Sequence, residues 1–194
     1  VLGAALVVLG GCPSYYDPVI EISHYNPALA YQGTTFFETG YFYPAYFEVD
    51  MQGNVLWSRY TNLSVGGNGL GMAPMENGNI LAMPDMRPTI FDPQTDTIVW
   101  QDIFHLGHHS LAETPWGTVL VLVQEQLDPN YPPWGNCMVL SDNIVEVNMQ
   151  HQTVWEWKLA EHLDPIAHHR DDMCTGGASF GDWSHCNTIK VIEN

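Results

Sequence analysis

Nine histidines fall in a chain of 194 residues of which only 14% are charged, and most of them gather in three short stretches. His105, His108 and His109 lie in FHLGHHSL; His162, His168 and His169 lie in HLDPIAHHRDD; His185 lies in GDWSHCN, beside Asp182, Trp183, Cys186 and Asn187. His24 and His151 stand apart. An imidazole can give or take a proton near neutral pH, donate a hydrogen bond to a developing negative charge, or attack as a nucleophile. Asp182 or Asn187 would fix the tautomer of His185, and Trp183 would offer a flat wall to an aromatic ring.

A metal site is the competing use of so many imidazoles. His105 and His109 are four residues apart, but that spacing gathers ligands only on a helix, and Gly107 in a strand-like context argues against one. No CxxC or CxxCH spacing occurs, so zinc-knuckle and c-type haem sites are excluded, and neither a metal nor a cofactor is expected. Cys137 and Cys174, both in loop-like sequence, are the pair expected to form a disulfide in an oxidising compartment, which leaves Cys186 free.

The elements that must position these residues repeat. YFEVDMQGNVLWSRY (46–60), TIFDPQTDTIVWQDI (89–103) and NIVEVNMQHQTVWEWKL (143–159) each show a short alternating strand, a polar turn and a second strand closing on Trp57, Trp100 or Trp155. Asp50, Asp92 and Asn148 fall at the turns, and the tryptophans read as packing residues. After each comes a strand of small or polar residues, a turn and another apolar strand. Trp57 and Trp100 are 43 residues apart, Trp100 and Trp155 are 55, and Gly78 and Gly117 are 39. A period near 40 with about four short strands per unit is the signature of β-propeller blades. The expectation is an all-β chain with four-stranded blades, about three of them present in an incomplete ring; a helical pattern is confined to 157–163. Aligned on their following turns, Leu111 matches Ile189, and His108/His109 and His185 come to nearly the same place, at the start of an innermost strand bordering the funnel. Successive strand residues point opposite ways, so one of His108 and His109 would face that funnel.

HHSLAETPWGTVLVL resembles the HHD-(x)n-P-N-G-N-(I/V)-L segment of bacterial arylsulfate sulfotransferases, and DWSHCNTIKVIEN is similar to their D-W-(S/T)-H-x-N-(S/T)-(I/V) segment. EVDMQGNVLW fits their blade repeat. The resemblance covers residues 40–194 and implies a six-bladed propeller. It also implies transfer of a sulfuryl group from a phenolic sulfate ester to a phenol, without a nucleotide sulfate donor. In that family funnel histidines and an arginine hold the sulfate, and a further histidine is transiently sulfated. The resemblance makes His185, and His109 or its neighbour His108, the catalytic candidates; the chemistry of the residues around His185 makes Asp182, Trp183 and Asn187 the substrate-binding candidates. It places the arginine and the sulfuryl-accepting histidine beyond Asn194. Ser110 stands where the family has Asp, and Trp116-Gly117-Thr118 replaces its N-G-N turn.

Asp and Glu outnumber Lys and Arg by 22 to 5, for a net charge of −17. That field repels phosphate backbones and excludes nucleic acid as a partner. It is also awkward for an anionic substrate, with Arg170 and Lys190 the nearby cations. The opening VLGAALVVLGGC is too short to span a bilayer and suits a signal-peptide core; Leu9-Gly10-Gly11-Cys12 resembles a lipobox, so Cys12 is the expected lipidation site of an exported protein. Membrane contact is expected through that anchor alone. The organisation read from sequence is thus a leader (1–12), a β segment (13–45) and a partial propeller (46–194). The 13–194 piece is expected not to fold stably alone, because its end blades would expose apolar faces and strand edges. Residues 168–172, HHRDD, read as a solvated loop ahead of the His185 strand. The alternatives are a non-catalytic propeller that binds a ligand or partner through the same funnel, a histidine metal site, and a quinone-dependent dehydrogenase whose repeat signature is not the one read here.

Overall fold

The computed structural model describes residues 6–8, 20–39, 45–60, 71–127, 137–168, 174 and 180–192; Cys12 and residues 169–172 lie outside them. Two compact units divide the chain, Val1–Gly66 and Gly67–Asn194.

In the first unit, β1 (Leu6–Val8), from the apolar opening run, pairs antiparallel with β2 (Ile20–Ile22). A three-stranded antiparallel sheet follows: β3 (Thr34–Thr39), β4 (Ala45–Asp50) and β5 (Val55–Tyr60). Alternation in β4 buries Ala45, Phe47 and Val49 with Ile20 and Phe37, and the Phe37 and Phe47 rings stack 5.3 Å apart. Asp50 closes the β4–β5 turn, its Oδ1 accepting the N–H groups of Gln52 and Asn54 at 2.9 Å each. Gly53 supplies the left-handed step at φ 84°, which suits a residue without a β-carbon.

The second unit holds two successive four-stranded antiparallel meanders. The first is β6 (Met72–Pro74), β7 (Ile80–Ala82), β8 (Thr89–Asp92) and β9 (Thr97–Gln101); the second is β10 (Gly107–Glu113), β11 (Val119–Gln126), β12 (Met138–Val147) and β13 (Thr153–Lys158). Asp92 and Asn148 form turns through their own side chains, as expected. Meanders joined by a short crossover and packed on one another are propeller blades in order and connection. The helical pattern at 157–163 becomes the single turn α1 (Leu159–His162). The sequence repeat is offset by half a blade from the sheets: each sheet ends, rather than begins, with the strand carrying Trp57, Trp100 or Trp155. Trp57 and Trp100 are buried, and Trp100 Nε1 donates to the Met149 carbonyl at 3.1 Å, tying one blade to the next. Trp155 is exposed, so packing within the described residues accounts for two of the three tryptophans.

Leu81, Met83, Ile90, Trp100, Leu111, Val119, Val121, Val145 and Val147 form the core between the two meanders. A second cluster joins Cys137, Val139, Leu159 and Trp183, with Cys174 beside it. The expected disulfide, Cys137–Cys174, closes there. It leads to β14 (Phe180–Asp182), which adds parallel to the beginning of β12, Met138 opposite Phe180 and Leu140 opposite Asp182. The strand expected through DWSHCNTIKVIEN is limited to that pairing; residues 183–192 run on without a ladder.

Strand β10 lies against β6 and β7. The fit is tight at Gly107, where a β-carbon would fall 2.0 Å from Met83 Sδ and 2.9 Å from Val121 Cγ1. Met83 and Val121 are both fully buried. Gly107→Ala is therefore expected to overpack this seam and lower stability by about 1–3 kcal/mol. Urea unfolding of the full-length protein checks this, and an unchanged midpoint at equal m-value contradicts it.

Candidate functional site

The site begins where β10 fails to run straight. Its pairing with β11 slips between Gly107 and Leu111, and His109 in the middle of the slip has φ 59°. A regular strand would send His108 and His109 to opposite faces, as the sequence suggests; the bulge brings their ring centroids to 3.9 Å instead. Both histidines therefore belong to the site. His185 arrives from the turn after β14, also with positive φ (44°), and its ring lies 5.4 Å from His109 and 6.0 Å from His108. Left-handed conformations at non-glycine residues are uncommon and persist where surrounding bonds hold them, a pattern that gathers at functional sites.

Those bonds are visible. Asp182 Oδ1 accepts the His185 backbone N–H at 3.1 Å, and Oδ2 lies 2.5 Å from His185 Nδ1. Asp182, not Asn187, therefore fixes the imidazole, with the proton on Nδ1 and Nε2 as the end free to act. Asn187 Nδ2 donates to the His185 carbonyl at 3.0 Å, which supports the turn. Trp183 does not present a wall to a ligand. It is 5% exposed, packs on Cys137, Val139 and Leu159, and donates from Nε1 to the His168 carbonyl at 3.1 Å.

Asp142, absent from the sequence reading, completes the group. It is buried on β12 beside Ser141 and Asn143, also buried. Its Oδ2 accepts the Ser184 hydroxyl at 2.9 Å and the Cys186 N–H at 2.5 Å. Its Oδ1 faces Nδ1 of the buried His108 at 3.2 Å, yet is not aligned for a hydrogen bond, so both atoms stand without one. Three successive polar residues inside the apolar strand MVLSDNIVEV are the signal that could have found it, since buried polar groups need partners.

The three imidazoles differ in environment. Burial, and then the neighbouring His108 and His185, hold the His109 ring below the ordinary histidine pKa, against the weaker opposite pull of Asp142 and Asp182. His109 is therefore neutral at pH 7. Burial, then the Asp142 carboxylate, push the Cys186 thiol up, so it stays protonated and is a poor nucleophile.

His105, His151 and His162 are used elsewhere. Asp102 and His105 repeat the Asp182–His185 arrangement, with Nδ1 2.5 Å from Asp102 Oδ2 and the Phe104 N–H donated to Asp102 Oδ1 at 2.9 Å. Here, however, His105 Nε2 is taken by the Thr153 hydroxyl at 3.0 Å. His105, rather than His108 or His109, is thus the counterpart of His185. His151 stacks on Trp100 at 5.4 Å and His162 on Trp157 at 4.9 Å. Among the described residues, no group of three His, Cys, Asp or Glu is arranged to hold a metal ion. Lys190 lines a groove of about 400 Å³ with Ala73, Glu113 and Ile189, where β6, β10 and the 189–191 segment run together. The Ile189 N–H donates to Ser110 Oγ at 3.1 Å, so the serine that replaces the family's Asp joins β10 to the 189–191 segment.

Successive four-stranded antiparallel sheets are propeller-like blades, and the histidine cluster lies between β10 and the turn after β14. Residues 22–194 match the model of the arylsulfotransferase (ASST) family, and the chain belongs to that family. No curated protein matches the chain. Among solved structures, the chain is similar to a protein of unknown function from Bacteroides caccae, with 12% identity, 63% of this chain and 62% of that one covered, and a TM-score of 0.33. The chain thus spans less than two thirds of that protein's length.

The lowered His109 pKa has a consequence for stability. Folding favours its neutral form, so its contribution is fully present above the unfolded value of about 6.5 and falls as pH drops from there toward the folded value. Between pH 7 and 5, wild-type protein is expected to lose more stability than His109→Gln does, read from denaturant midpoints. Equal losses would show that His109 is not desolvated.

Proposed function

We propose that this site transfers a sulfuryl group from a phenolic sulfate ester to a phenol acceptor. The observation that carries the reading is the convergence of His108, His109 and His185 within 6.0 Å, with carboxylates behind the first and last. A sulfate ester bears one delocalised negative charge. As its S–O bond to the phenol breaks, charge grows on the phenolic oxygen. In its charged form, with Nδ1–H held by Asp182, His185 donates from Nε2–H to a sulfuryl oxygen or gives that proton to the leaving phenolate. As the acceptor phenol's oxygen forms the new bond to that sulfur, its proton passes by way of His109 back to His185, leaving the site as it began. His109, kept neutral, is the base available for that return.

Nitrophenolate release from 4-nitrophenyl sulfate by the full-length protein, with and without phenol, tests this. Release that depends on phenol and falls by about 10²–10⁴-fold in His185→Ala is the expected outcome. A well-folded wild type that releases nothing overturns the reading in favour of a ligand-binding propeller.

The same protein is proposed to be exported and lipidated at Cys12. The sequence Leu9-Gly10-Gly11-Cys12 and the Cys137–Cys174 disulfide, a bond of oxidising compartments, support this. Radiolabelled palmitate fed to producing cells should enter the wild type and not Cys12→Ala; equal labelling rules the anchor out.

A further inference from the structure

Asp142 stands on β12 and is 2% exposed. Its two carboxylate oxygens serve different elements. Oδ2 takes the Ser184 hydroxyl and the Cys186 N–H, while the Asp142 N–H donates back to Ser184 Oγ at 2.9 Å. The residues on either side of His185 are thus bound to one carboxylate, which holds the turn against its positive φ. Oδ1 turns the other way, to His108 Nδ1 at 3.2 Å. That contact is the part left unfinished, since neither atom has a hydrogen bond.

Buried polar atoms without partners are uncommon and call for a reason. Hydrogen bonds in an empty active site are often misaligned and tighten when substrate enters. An anion arriving beside His108 favours its charged form, and a charged imidazole needs an acceptor on Nδ1 if Nε2 is to face the anion. Asp142 Oδ1 is already in place. Asp182 serves His185 in the same way, whereas His109 has no carboxylate within hydrogen-bonding distance among the contacts of the described residues.

We propose that Asp142 is a positioning residue for the sulfuryl group: through Oδ2 it sets the His185 turn, and through Oδ1 it aligns with His108 once the anion is bound. One buried carboxylate thereby fixes the separation of the two imidazoles. The substrate in this proposal rests on the sulfuryl-transfer reading; the geometry does not.

The test compares full-length wild type, Asp142→Asn, Ser184→Ala, and each paired with His108→Gln. Turnover of 4-nitrophenyl sulfate with phenol is measured, together with ring ¹⁵N spectra of the histidines as inorganic sulfate is added. Asp142→Asn keeps the shape and removes the charge. It is expected to lower kcat by about 10²-fold with KM changed less than about threefold, since misplaced groups affect the transition state most. Adding His108→Gln to it should lower kcat no more than about threefold further, because the two act as a unit. The ring signals of both His108 and His185 should move in Asp142→Asn, and the sulfate-induced change at His108 should vanish. Losses that multiply, or unmoved ring signals, overturn the proposal. If Asp142→Asn fails to fold, Ser184→Ala decides: it leaves the carboxylate intact and should still shift the His185 ring, and an unshifted ring overturns the proposal. A wild type that releases no nitrophenolate sinks the sulfuryl reading alone, and the ring spectra still judge Asp142.

Discussion

At Gly107 the inner strand β10 approaches Met83 and Val121 so closely that a single added methyl would overlap both. This contact fixes the beginning of β10 against the core of the preceding blade, while the hairpin turn fixes its end through Thr114, Gly117 and Thr118. Between these fixed points the chain carries surplus length. From Gly107 to Leu111 β10 takes four steps where the paired β11 takes two, from Val123 to Val121. A strand pinned at both ends absorbs extra residues as a bulge. The residues that bulge are His108 and His109, and the bulge turns both rings to one side. The histidine pair is therefore a product of a packing constraint several residues away from either ring.

The Asp-x-x-His turn occurs twice, and the comparison separates scaffold from site. In both copies the carboxylate caps the turn by taking a backbone N–H and holds the imidazole through Nδ1. What differs is the other nitrogen. Thr153, at the start of β13, occupies Nε2 of His105 and converts that copy into a strut between a crossover and the next blade. His185 has half of its side chain exposed and Nε2 unclaimed. The same local chemistry thus forms a strut in one blade and leaves the imidazole half exposed in the next. Which role applies is decided by the facing strand rather than by the motif.

The period of about forty residues, the turns at Asp50, Asp92 and Asn148 and the Cys137–Cys174 bond are legible from residue types and spacing. These signals are local or count-based. The half-blade offset was not legible, because a repeat has no marked beginning and only pairing shows which strand opens a sheet. His108 and His109 were read as alternatives because alternation presumes an unbroken strand. Trp183 reads from sequence as a substrate wall, but the parallel return of β14 to β12, which has no sequence signature, buries it against Cys137, Val139 and Leu159. Asp142 was passed over for a related reason. An acidic residue in a strand is usually solvated, and only the return of residues 184–186 to β12 buries this one.

An anionic substrate of the kind proposed must be held within a strongly acidic chain, and the site's arrangement provides a way. Lysine or arginine would supply charge as a monopole, felt and screened over about 8–10 Å. Carboxylate-backed imidazoles work at closer range. Asp142 and Asp182 both face Nδ1 atoms, so their charge lies behind the rings while the Nε2 edges are left for the ligand. A charged His–Asp pair is neutral overall, yet it presents a fixed N–H dipole, and preorganised dipoles in a partly water-excluded site stabilise transferring charge without a net positive field. His109, neutral and in contact with His108, adds a basic nitrogen beside these donors rather than another like charge. Donors and a base held within 6.0 Å suit a reaction in which a proton is given to one phenolic oxygen and taken from another. A site built from a monopole would bind the anion as well, but would leave both protons to water.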